Sequence, residues 1–155
     1  MTTSRAPGVD PDVTLAATVL ADEQALLDRV LATLARHPHL ETTLAGARSA
    51  HQAHVDLLQD AVPEDVATAG TDAGSLAAFP SVSPSVEESP SATRVPGRAP
   101  VALGALARAE DRLALVGRRS SFAAQSGAFA RILASMAAAA AQQATTLAAA
   151  ARERP

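Results

Sequence analysis

Four ionisable residues stand where helix periodicity demands apolar ones: Glu23, His51, His54 and Glu110. A carboxylate or imidazolium held away from water persists only when it is paired or bound to a metal. Two Glu and two His at one depth can satisfy each other as a Glu⁻–His⁺ network. The same set can hold one divalent cation, since imidazole and carboxylate ligands suit Fe, Mn and Zn. Either chemistry requires three separate stretches of chain to bring these side chains together.

Apolar residues at steps of three and four mark the stripe that a helix buries. The first stripe is Ala16, Leu20, position 23, Leu27, Val30 and Leu34. The second is Leu40, Leu44, Ala47, positions 51 and 54, then Leu58. The third is Leu103, Leu106, position 110, Leu113 and Gly117. The fourth is Phe129, Leu133, Met136, positions 140 and 143, then Leu147, with Ala140 and Gln143 in the interrupted places. Each interruption falls roughly 15–24 Å along its helix at 1.5 Å rise per residue. Mid-helix positions share a depth whichever way a helix runs. The interruptions are therefore expected to converge near the centre of a bundle, with Gln143 as an outer hydrogen-bonding neighbour if a metal is held.

The helices that carry the stripes have readable ends. Asp10-Pro11 reads as an N-cap followed by proline at the first helical position, which opens a helix over about 11–36. Pro38 disfavours helix at His37 and suits a new start, giving a second helix over about 39–61. A short connection makes these two antiparallel. Helices over about 100–124 and 127–152 follow, the last capped by Ser126 and strengthened by the unbroken Ala137–Ala141 run. Residues 1–9 read as a flexible tail. Residues 62–99 are rich in Pro, Ser and Gly with few large apolar side chains, and read as a long irregular linker that Phe79 and Val82 pin loosely to the bundle. The fold class is all-α, a four-helix bundle formed by one domain over residues 10–155.

Composition narrows the function classes. The chain has 155 residues, 48% of them hydrophobic, which is enough for one sizeable core. That apolar content is mostly Ala, Leu and Val, which suits closely packed helices better than a β-sandwich. There is no Cys, which excludes disulfides, thiolate metal sites and a cysteine nucleophile. A net charge of −3 without a basic run leaves no nucleic-acid footprint. No apolar stretch is long enough for a transmembrane helix. The first nine residues lack the pattern of an export signal, so the expected location is cytoplasmic. All basic residues are Arg, and Lys, Asn and Tyr are missing. This bias points to a GC-rich genome, so abundant Arg and Ala are a codon effect first.

The arrangement resembles the ferritin-like four-helix fold, in which helices one and three each give a Glu and helices two and four each give Glu-x-x-His around two metals. Glu23 and Glu110 match the first- and third-helix Glu. His54 matches the second-helix His, with His51 in place of the Glu. The long linker matches the crossover that such bundles use between helices two and three. The sequence resembles small Ala-rich ferritin-like proteins of actinobacteria, through Ala21-Asp22-Glu23-Gln24-Ala25-Leu26-Leu27, His51-Gln52-Ala53-His54, Ala109-Glu110 and Leu133-Ala134-Ser135-Met136. Such relatives often carry an export or lipid-anchor segment ahead of the first helix, so an upstream start would move the expected location to the cell envelope.

The resemblance also implies a loss. A diiron oxidase needs bridging carboxylates from both Glu-x-x-His pairs, and the fourth-helix places hold Ala140 and Gln143. Two readings follow. One is a non-catalytic binding or structural module with a degenerate metal site and no cofactor, acting through its surface, a homodimer or a helical protein partner. The other is a mononuclear Fe, Mn or Zn protein that uses Glu23, His51, His54 and Glu110 as ligands. Other chemistry-bearing residues read as ordinary. His37 and His39 are expected to be solvated turn residues. Arg108, Arg112 and Arg119, with Arg118, form a solvated face. Ser120 and Ser121 have no His placed to activate them, and no phosphate loop or dinucleotide fingerprint is present.

Overall fold

Residue 10 accepts the backbone N–H of Asp12 on its Oδ1 at 2.9 Å, so the first helix begins where the Asp-Pro pair places it. The computed structural model describes residues 10–62 and 94–153. Helix α1 spans Pro11–Arg36, a 3₁₀ turn spans Pro38–Leu40, and α2 spans Glu41–Ala61. Helix α3 spans Ala99–Ala123 and α4 spans Gly127–Arg152, with the Ser126 hydroxyl accepting from the Phe129 N–H. No strand occurs among the described residues. The second helix departs slightly from expectation: residues 38–40 wind as a 3₁₀ turn, because proline starts the segment and the Leu40 N–H reaches the His37 carbonyl. The expected tail 1–9, and linker residues 63–93 with Phe79 and Val82, lie outside the described residues.

Contacts at the helix ends fix the directions. The Asp12 carboxylate, in the first turn of α1, accepts from the Gln125 and Ser126 N–H groups, each at 2.8 Å, in the turn between α3 and α4. At the other end, His37 Nε2 lies 2.9 Å from the Pro96 carbonyl just ahead of α3. Helices α1 and α3 therefore run antiparallel. Each also runs antiparallel to its hairpin partner, so the order is up, down, down, up. It follows that α2 ends where α1 begins, and α3 begins at the opposite end. Around the bundle, α1 neighbours α2 and α3, and α4 neighbours α3 and α2.

Among the described residues, most buried apolar side chains fall into two clusters. One gathers Val30, Leu34, Leu40, Leu44, Leu103, Leu106 and Leu147 toward the α1–α2 turn. The other gathers Ala16, Leu20, Val55, Leu58, Leu133 and Met136 toward the α3–α4 turn. Between them, in the middle of α1, α2 and α3, lie Glu23, His51 and Glu110, all buried. Helices α3 and α4 approach closely through small residues. A Cβ on Gly117 would lie 3.1 Å from the Ala137 Cβ, so the absent side chain sets how near these helices come.

Candidate functional site

Helical periodicity turns position 23 of α1, positions 51 and 54 of α2 and position 110 of α3 inward at one level. His51 Nδ1 lies 2.6 Å from Glu23 Oε2, and His51 Nε2 lies 2.8 Å from Glu110 Oε1. Both contacts are buried, with side chains at most 2% exposed. His54, 17% exposed, joins from the edge, its Nδ1 3.2 Å from Glu23 Oε1. The four residues singled out in the sequence thus form one chain, His54–Glu23–His51–Glu110.

Carboxylate oxygens only accept, so a ring held between two of them is best served by an N–H on each nitrogen. Burial alone would push the His51 imidazolium to lose its proton. Hydrogen bonds to Glu110 and Glu23, together with their negative charges, outweigh burial and raise its pKa to about 9. Burial likewise pushes the Glu23 carboxyl up. The hydrogen bonds and charges of His51 and His54 outweigh it and hold Glu23 below its ordinary value. Glu110 is satisfied on one oxygen, while its Oε2 is buried with no hydrogen-bond partner among the described residues.

A ligand atom from each of Glu23, His51 and His54 falls within 4.8 Å of the others, so these three can hold a metal ion. Glu110 sits across the ring. An ion on His51 Nδ1, beside Glu23 and His54, would leave Glu110 on the opposite nitrogen, where it would accept the Nε2–H and orient the ring. The arrangement thus divides the four expected ligands into three that share one space and one that supports them. Two ligands at about 2.0–2.1 Å on a tetrahedral ion stand roughly 3.3 Å apart. The 2.6 Å contact between Glu23 and His51 would have to open to admit an ion.

The fourth helix differs from expectation. Gln143 lies against Gly46, its Nε2 3.5 Å from where a Gly46 Cβ would stand. No hydrogen bond joins it to the Glu–His chain among the described residues. In an antiparallel pair, moving down α2 from Gly46 to His51 means moving back along α4 from Gln143. The inward residues of α4 nearest the charged layer are therefore Met136 and Ala140, both buried. Counting depth from helix starts misplaces Gln143 by more than a turn, because α2 and α4 start at opposite ends of the bundle and a count along one runs against a count along the other.

His37 also departs from expectation. It is buried, and because a carbonyl only accepts, its Nε2 carries the hydrogen donated to Pro96. The chain entering α3 covers it, which nothing in the local sequence signals. His39 is exposed, as are Arg108, Arg112, Arg118 and Arg119. No helix among the described residues is long and apolar enough to cross a membrane. Compared with known proteins, the chain matches no family model, no curated protein and no solved structure.

Proposed function

We propose that this chain is a non-catalytic, ferritin-like helical module whose former metal layer now serves as a charged core. The observation that carries the reading is the His51 ring, closed on both nitrogens by carboxylates from two other helices. A ring so engaged ties α1, α2 and α3 together and needs no cofactor. The up, down, down, up order supports the ferritin-like reading, and so does the Glu on each of α1 and α3. The module acts through its surface, as a binding or structural protein. Metal analysis of the purified protein tests this: no stoichiometric Fe, Mn or Zn is expected. A stoichiometric metal that disappears in His54→Ala would overturn it.

A second reading rests on a different observation, the approach of Glu23, His51 and His54 ligand atoms within 4.8 Å. Here the chain binds one divalent Fe, Mn or Zn ion with Glu110 behind His51, and the buried Glu110 Oε2 lends the negative charge that a cation favours. Binding to the native state raises the melting temperature. An unchanged melting curve across added Fe, Mn and Zn would remove this reading.

A further inference from the structure

The exposed face of α3 carries five residues at steps of three and four: Arg108, Asp111, Leu115, Arg118 and Phe122. This spacing lines them along one stripe. Two are large apolar side chains left in water, Leu115 at 57% and Phe122 at 81% exposure. Beside the stripe, α3 and α4 enclose a groove of about 650 Å³, floored by alanines of α4 such as Ala134, Ala138 and Ala141. Asp111 and Arg118 stand on the rim of the same groove, either side of Leu115. Neither forms a salt bridge among the described residues. Seven residues apart, they are separated by roughly 10 Å along the axis, too far to pair within one helix.

We infer that a second copy of this chain docks antiparallel on the α3 face, about a two-fold axis passing beside Leu115. The stripe is complementary to itself in that orientation and not in the parallel one. Asp111 and Arg118 are placed symmetrically about a point between Ala114 and Leu115. A two-fold there sets Asp111 of each copy against Arg118 of the other, Leu115 against Leu115, and Arg108 against Phe122, an arginine over an aromatic face. A parallel arrangement would set Asp111 against Asp111 and Arg118 against Arg118. The alanines of α4 let the partner's Leu115 sink into the groove. Helices of this length run about 38 Å, and two side by side at about 9 Å spacing give a face of roughly 700 Å². That is close to the ~800 Å² per partner of a stable interface. The inference is independent of whether the core holds a metal.

The full-length chain in solution tests it. Sedimentation is expected to show twice the 15.7 kDa chain mass. Leu115→Arg is expected to give the monomer. Asp111→Arg and Arg118→Asp are each expected to raise the dimer dissociation constant at least about tenfold, since like charges then meet across the axis. The double variant D111R/R118D restores opposite pairs and is expected to recover the dimer. All these positions are exposed, so the circular dichroism of the monomeric variants should match the parent, and their melting should match that of the parent diluted below its dimer dissociation constant. Because the chain has no Cys, geometry can be read directly. Leu115→Cys alone is expected to cross-link under oxidation, whereas Arg108→Cys and Phe122→Cys are expected to cross-link only when mixed. A monomer at all concentrations overturns the inference. So does a dimer indifferent to Leu115→Arg and to both charge reversals, or self-cross-linking at Phe122→Cys with none at Leu115→Cys.

Discussion

At the scale of the residue, His51 is the centre of the molecule's electrostatics, and its protonation ties stability to pH. Its pKa is raised from 6.5 to about 9 in the folded chain. A raised value means the folded state holds the proton more tightly than the unfolded one. The stabilisation is therefore complete below about 6.5 and is lost as pH rises through about 9. Glu23 works in the opposite sense. Its folded value is depressed from 4.5, so its contribution is present above that value and lost as pH falls below it. Denaturant titrations across pH should show a maximum between about 4.5 and 6.5, with a decline toward pH 9. A flat profile from pH 6 to 9 would contradict the charged layer. Removing the ring should be more damaging than removing its neighbour. His51→Ala leaves Glu110 buried without a partner and Glu23 with only the edge contact to His54, and is expected to cost about 3–5 kcal/mol at neutral pH. His54→Ala touches a partly solvated pair, and a loss of at most about 1 kcal/mol is expected.

At the scale of the element, two helical glycines separate propensity from packing. A Cβ on Gly46 would meet only the flexible end of Gln143, at 3.5 Å. Gly46→Ala should therefore gain about 0.5–1 kcal/mol from helix propensity. A Cβ on Gly117 would meet the Ala137 Cβ at 3.1 Å, with Ala137 backbone behind it. That neighbour cannot rotate away, so α3 and α4 would have to part. Gly117→Ala should lose the propensity gain and about 1 kcal/mol besides, and Gly117→Leu about 3 kcal/mol. Paired melting curves decide the contrast. The same distinction explains what sequence could and could not show. Helix ends were legible because Asp10, Pro11, Pro38 and Ser126 act within one turn of chain. The inward facing of Glu23, His51 and Glu110 was legible because periodicity is local too. The burial of His37 and the height of Gln143 were not, since each is set by where another helix lies. The opposition of Glu23 and Glu110 across one imidazole ring was equally hidden, because spacing along a chain does not say which ring nitrogen a distant carboxylate meets.

At the scale of the whole molecule, the helix directions constrain the covalent path. Val62 packs with Ala16, Val19 and Leu20 at the start of α1, while Pro96 sits on His37 at its end. At 1.5 Å per residue of α1, those levels are about 30 Å apart. The chain between them must cover that distance, and each residue link reaches at most 3.8 Å. Deleting 70–81 leaves ample length, and the variant should keep the parent's circular dichroism and melting curve. Deleting 65–93 leaves only 63, 64, 94 and 95 between Val62 and Pro96, five links reaching about 19 Å at most. The α1–α2 hairpin could then no longer pack on the α3–α4 hairpin of its own chain in this order. Exchange of hairpins between chains is the expected outcome, since the buried faces are unchanged and only the connection fails. The measurement is best made with Leu115→Arg in both deletions, so that any two-chain species reports exchange and not docking through α3. The shorter deletion should then sediment as a monomer and the longer as a dimer that does not dissociate on dilution. A monomeric, natively helical product of the longer deletion would mean that α2 and α3 are not parallel, and the up, down, down, up order would have to be abandoned.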